Sequence, residues 1–152
     1  MKKIIGYRKL LGVTEKVTLQ DLKTIYRNLM KDWHPDKFAD NPEQQEEAEV
    51  KSKRIIEAYH FLVSISAERR LQELPEYTLT TSSSPIVDFD YKNETLLIKY
   101  LDGSSYEYFG VPKATYIKLV NAPSPARFAR RHICTTFVYR KVDSVTEVAQ
   151  QA

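Results

Sequence analysis

His34 and Asp36 stand on either side of Pro35, and an imidazole next to a carboxylate is the smallest pair that can move a proton in general acid–base chemistry. Such a pair needs companions to work on a substrate. No second carboxylate, nucleophile elbow, phosphate-cradling glycine loop or metal-spaced His and Cys cluster accompanies it. The three histidines, His34, His60 and His132, are scattered without ligand spacing, and the single cysteine, Cys134, excludes an intramolecular disulfide and a multi-cysteine zinc site. No catalytic residue, metal or cofactor is therefore expected, and the chain is not expected to be an enzyme. The remaining chemistry is recognition by charge. Lys23, Arg27 and Lys31 recur at four-residue steps, a row that drifts only about 40° per step around a helix. Arg127, Arg130, Arg131 and Arg140, interleaved with tyrosines, have the residue types of a surface that stacks bases and pairs phosphates. Against each stands a plainer account: Pro35 ends a helix while Asp36 helps a turn, lysines on a helix are a wet face, and alternating tyrosines are core.

The elements that must hold His34 and Asp36 can be read from their flanks. Upstream, Leu19, Leu22, Tyr26, Leu29 and Trp33 form one apolar stripe of a helix, with Thr18 at the N-cap and Asp21 three residues on. That face is expected to be buried, with the basic row beside it. Pro35 disfavours helical backbone at His34 and has no N–H to give, so the helix should end near Trp33 and leave His34 and Asp36 in a turn. Downstream, Asn41 and Pro42 read as N-cap and first helical residue, with Gln44 as the partner of the cap. Glutamates in the opening turns and basic residues in the middle complement the helix dipole. Ala48, Ile55, Tyr59 and Leu62 mark the inner face of this second helix. Running to Ser64 it is roughly 34 Å long, so the two helices can pair antiparallel with the turn exposed at one end.

These residues resemble the J-domain of DnaJ-type proteins over about Ile5 to Leu74. The likeness is carried by Tyr7-Arg8-Lys9-Leu10-Leu11-Gly12-Val13, by Leu22 through Tyr26-Arg27 to His34-Pro35-Asp36-Lys37, and by Ala58-Tyr59 before Leu62. It implies a co-chaperone that docks on a DnaK-type ATPase through Lys23, Tyr26, Arg27, Lys31, His34, Pro35, Asp36 and Lys37. Asp36 would engage a basic group near the interlobe linker of that ATPase, favouring hydrolysis and tight substrate binding. Asn28 and Asp32 stand where family members often carry basic residues, and so bear on the strength or choice of partner.

Apolar and charged fractions of 42% and 28% are those of a globular chain, and a formal charge of +3 does not argue for nucleic acid. Residues 1–85 carry 14 Lys and Arg against 13 Asp and Glu, the remainder 9 against 7, so neither half is a basic tail. No signal-peptide core or membrane-length apolar run occurs, and with one cysteine this points to a reducing, cytoplasmic setting. Ile4 to Leu11 fit a short first helix with Gly12 at its C′ position. Ala67 to Leu74 fit a last short helix stopped by Pro75, and residues 76–85, without helical or strand period, read as a linker.

From Ile86 the period changes. Val87, Phe89 and Tyr91 alternate with Asp88 and Asp90, a half-buried strand. Thr95 to Leu101 is a second strand, and Asp102-Gly103 before Tyr106, Tyr108 and Phe109 predicts a type I′ hairpin. Pro112 can open a helix through Val120, Ser124-Pro125 another through about His132, and Thr136 to Val142 a closing strand. This part resembles the KTSC domain, named for its similarity to the C-terminal part of some lysyl-tRNA synthetases. Tyr91, Leu96 to Tyr100, Asp102-Gly103, Tyr106, Tyr108, Gly110-Val111-Pro112, Tyr116, Ala122, Ser124, Phe128, Ile133 and Tyr139 carry the likeness; Pro125 departs from the family's small residue after the serine. The expectation is an α+β chain: a helical J-domain over 1–75, an antiparallel helical hairpin with short helices; a linker over 76–85; a small antiparallel sheet with two helices over 86–142; and a tail over 143–152. Its expected role is to stimulate a DnaK-type ATPase, with the second module selecting an unidentified client or a location and no membrane involved. The alternative is an RNA- or translation-associated binding protein in which the second module carries the main role.

Overall fold

The computed structural model describes residues 2–142, so the expected tail over 143–152 lies outside the described residues. The chain divides into two compact units, with the boundary in sequence between Arg69 and Arg70. The first is helical: α1 (Lys2–Leu11), α2 (Leu19–Trp33), a 3₁₀ turn (Pro35–Phe38), α3 (Pro42–Ser64) and the start of α4 (Ala67–Ser83). Local chemistry sets these boundaries. Gly12 takes φ +69° after α1, a backbone conformation cheap only without a Cβ. The Thr18 hydroxyl accepts from the Asp21 N–H at the start of α2, and the Leu19 N–H is satisfied by the Glu68 carboxylate at 3.1 Å. Asn41 Oδ1 accepts from the N–H groups of Glu43 and Gln44, so Gln44 serves the cap of α3 through its backbone.

Burial follows the helical period with a different emphasis from the one expected. Leu22 is buried, while Leu19, Tyr26, Leu29 and Trp33 are half-covered. On α3 the buried set is Ala48, Ser52, Ile55, Ala58, Phe61 and Leu62; Tyr59 is at the margin, its ring stacked on Tyr26 at 4.1 Å. Ile4 and Leu11 of α1 complete this core.

The second unit is a four-stranded sheet of β1 (Ile86–Lys92), β2 (Thr95–Tyr100), β3 (Ser105–Phe109) and β4 (Val138–Val142), ordered β1-β2-β3-β4 and antiparallel throughout. The connection from β3 to β4 carries α5 (Lys113–Asn121) and α6 (Pro125–His132), the latter capped by the Ser124 hydroxyl on the Arg127 N–H. The strand-then-helix expectation holds in class and order, and the protein is α+β. In register, Leu96 faces Tyr108 and Ile98 faces Tyr106, and Tyr108 faces Tyr139. That face packs with Leu119, Ala129 and Ile133 in one core.

Three expectations are corrected. Pro75 does not stop α4, and residues 76–83 are helix instead of linker. Tyr77 and Thr80 are buried, and Tyr77 belongs to the core of the sheet unit. Its ring stacks on Tyr139 at 3.9 Å, and its hydroxyl donates to the Cys134 carbonyl at 2.7 Å and lies 3.0 Å from the Tyr108 hydroxyl. Thr80 donates to the Asp102 carboxylate at 2.7 Å, and the Asp102 N–H donates to Ser84. These contacts outweigh the hydrogen bond Pro75 removes. Second, Val87 is 61% exposed: the register slips between Ile86 and Asp88, making Val87 the extra residue of a bulge and turning Ile86 to the core. Third, the turn with both central residues at positive φ is Asn93-Glu94, at 51° and 62°. At Asp102-Gly103 only Gly103, at 92°, is left-handed, and the Gly103 N–H bonds the Tyr100 carbonyl in a three-residue hairpin loop.

Because Tyr77 is built into the sheet core, residues 86–142 alone should fail to give dispersed amide spectra, whereas residues 67–142 should give them. Tyr77→Ala in the full chain should cost the second unit about 3–5 kcal/mol in denaturant unfolding. An unchanged midpoint would show that the helix merely rests on the sheet. Burial also pushes the Tyr77, Tyr100 and Tyr108 hydroxyls well above the ordinary tyrosine value, and the adjacent Cys134 sulfur adds to the rise. An unfolded tyrosine ionises near pH 10 while these keep their protons, so above about pH 10 the unfolded state binds fewer protons and stability falls as pH rises. Alkaline titration should therefore unfold the sheet, read by circular dichroism, before the fluorescence of Trp33, the only tryptophan and a residue of the first unit, reports any change there.

Candidate functional site

The end of the helical hairpin is shaped by four residues. At His34 the backbone leaves the helix, with φ −63° and ψ 132°, the extended conformation that a following proline favours. Pro35 then opens the 3₁₀ turn, and the His34 carbonyl accepts from the Lys37 N–H at 3.0 Å. The His34 side chain turns back over its own turn: Nδ1 accepts from the Asp36 N–H at 3.3 Å. That bond needs an unprotonated Nδ1, so the 3.6 Å approach of the same nitrogen to the Asp36 carboxylate is proximity rather than the dominant bond. His34 serves as the cap of this turn.

The consequence is an exposed anion on a fixed stem. The Asp36 side chain is 90% exposed and the His34 side chain 54%. Beneath them Trp33 and Phe38 hold their ring centroids 6.3 Å apart, and Lys51 of α3 places its ammonium 3.8 Å from the centre of the Trp33 ring. The turn is thus packed on α2 through Trp33, whose ring is in turn held by Lys51 of α3.

Along α2, Lys23, Arg27 and Lys31 are all exposed, and among the described residues no carboxylate lies in salt-bridge range of them. Lys37 is exposed and Pro35 half-buried. Tyr26, expected with the contact residues, is half-buried in its stack on Tyr59, where it holds α2 against α3 under the basic row. Asn28 and Asp32 are exposed on the same helix, so Asp32 places one negative charge next to Lys31. Lys51 and Trp33 are the supporting pair that sequence reasoning left out of the site; a Trp in the last turn before His-Pro was the available signal.

The second-unit arginines do not form one surface. Arg140 is half-buried on β4 with its guanidinium 3.6 Å from Glu107, its cross-strand neighbour on β3. Arg127, Arg130 and Arg131 are exposed on α6, with Arg130 donating to the Ser82 carbonyl at 3.0 Å. The tyrosines are committed elsewhere: Tyr106 and Tyr108 are core, and Tyr91 is stacked on Tyr116 at 4.5 Å while its hydroxyl bonds the Val111 carbonyl. Among the described residues no group of three or more His, Cys, Asp or Glu side chains could hold a metal ion, and no helix is long and apolar enough to cross a membrane.

Comparison with known proteins follows the same division. The family described as DnaJ domain matches residues 7–72, and the KTSC domain family matches residues 82–137. DnaJ homolog subfamily B member 6 of Homo sapiens is 46% identical over 59 residues, 39% of this chain and 17% of its own. DnaJ homolog subfamily B member 8 of Homo sapiens is 45% identical over 68 residues, 45% of this chain and 28% of its own. DnaJ homolog subfamily B member 7 of Mus musculus is 42% identical over 62 residues, 41% of this chain and 19% of its own. The chain thus spans well under a third of the length of these relatives. An anion-bearing His-Pro-Asp turn at the end of a helical hairpin, followed by a tyrosine-cored sheet, agrees with both matches: the chain carries a DnaJ domain over residues 7–72 and a KTSC domain over residues 82–137.

Proposed function

We propose that the protein is a non-enzymatic co-chaperone that docks on a DnaK-type ATPase chaperone through the His34-Pro35-Asp36 turn and the basic row of α2, stimulating ATP hydrolysis. The KTSC domain then selects the client or the place. The observation that carries this reading is the Asp36 carboxylate, held 90% exposed on a turn whose backbone is fixed by Pro35 and by the His34 cap. Holding a group in a fixed, exposed position before it meets its partner lowers the ordering cost of binding. Lys23, Arg27 and Lys31 supply a field that steers an acidic partner toward the turn. The RNA-centred alternative lacks a stacking platform, since the tyrosines are buried or paired and Arg140 is matched by Glu107.

Asp36→Asn keeps the shape of the side chain and removes its charge. Because the group is exposed, folding stability should change by less than about 0.5 kcal/mol while ATPase stimulation is lost. His34→Gln should also abolish stimulation with helical circular dichroism intact. Stimulation retained by either variant would end the docking assignment.

Exposed charges are screened over about 8 Å at physiological ionic strength, so association through the basic row should slow as salt rises. Arg27→Glu should lower the association rate more than it raises the dissociation rate, measured by surface plasmon resonance against the ATPase chaperone. A rate indifferent to salt and to this reversal would reduce the row to a solvated face.

A further inference from the structure

The near balance of charge in the second half hides a sharp asymmetry. Asp88, Asp90, Glu94, Asp102 and Glu107 all precede Tyr108, and between Tyr108 and Val142 there is no acidic residue. The helical connection over 110–137 carries Lys113, Lys118, Arg127, Arg130 and Arg131 against none. All five are exposed, and among the described residues none has a carboxylate in salt-bridge range. α5 and α6, which pack against each other, carry all five of these charges.

The apolar residues of α5 sharpen the picture. Leu119 is fully buried, and Ile117, two residues earlier, lies about 200° around the helix from it, at the middle of the solvent face. Ile117 is 48% exposed and Val120, three residues on and adjacent to it, 50% exposed. Lys113, one turn before Ile117, lies on the same face as this pair, and Lys118 lies about 100° to one side of Ile117. An aliphatic centre with a cationic border is a poor match for a nucleic acid, which offers no aliphatic side chain to cover Ile117 and needs free aromatic faces to stack on. It matches a protein segment that carries carboxylates around apolar anchors.

We propose that the α5–α6 face of the KTSC domain binds an acidic amphipathic segment of a partner protein, with Ile117 and Val120 covered by its apolar side chains and Lys113, Lys118, Arg127 and Arg131 paired with its carboxylates. This deepens the selecting role proposed for the second unit and rests on that reading. The full chain is tested by fluorescence anisotropy with a labelled peptide of glutamates bearing leucines at helical spacing. Its glutamine counterpart, an oligouridine and vesicles containing anionic phospholipid are run beside it. The peptide should bind, and more weakly as salt rises. Lys118→Glu with Arg127→Glu should weaken it about tenfold or more, and Ile117→Ser should weaken it at unchanged charge. All three positions are exposed, so circular dichroism should be unaltered. Absence of peptide binding, equal binding of the glutamine counterpart, indifference to Ile117→Ser, or tighter binding of oligouridine or vesicles would each overturn the proposal. The assay contains no ATPase chaperone, so its outcome is independent of the Asp36→Asn result; the charge reversals should leave ATPase stimulation untouched.

Discussion

A proline ring governs the functional end of the first unit. Pro35 has no N–H to donate and disfavours helical backbone at the residue before it, and α2 stops at Trp33 so that the chain turns where His34 stands. From that one constraint follow the outward aim of Asp36, the freedom of the His34 imidazole to cap the turn, and the position from which α3 returns. The remaining contacts of the site, Trp33 on Phe38 and Lys51 over Trp33, stabilise a geometry that the ring imposes. A substitution that restores an N–H at position 35 would leave every other contact residue in place and still remove what orients them.

The second unit depends on burial of a different kind. Its core is built from tyrosines, and their hydroxyls need partners inside it. Tyr77 supplies one from outside the sheet, joining Tyr108 and the Cys134 carbonyl, while Tyr108 donates to the Cys134 sulfur at 3.5 Å. Cys134, which is buried, thereby accepts hydrogen bonds from two core tyrosines, through its carbonyl and its sulfur.

Much of this was readable in the residues. The caps at Thr18, Asn41 and Ser124 are local hydrogen-bonding rules and fall where sequence places them, as does the hairpin after Tyr100. The second half of α4 was not, because its buried face is written in Tyr77 and Thr80 while Leu71, Leu74 and Leu79 point to solvent. A search for apolar period sees the wrong side of such a helix, and a proline within it confirms the error. The bulge at Val87 was hidden for a related reason: alternation assumes one residue per step, and an inserted residue inverts the face assignment before it. At Asn93-Glu94 the glutamate masks a turn that is usually advertised by glycine. In the candidate site the charged residues were visible, but Tyr26 and Arg140 required the partner strand or helix to show that each is already engaged.

The bulge has a further meaning for the sheet that carries it. β1 is an edge of the sheet, with hydrogen-bonding groups that any extended polypeptide can join. Its slipped register at Val87 interrupts the ladder, and Asp88, Asp90 and Lys92 crowd the strand with exposed charge. A strand so marked is a bad template. The irregularity at Val87 thus guards the sheet against growing at its edge by pairing with a further strand.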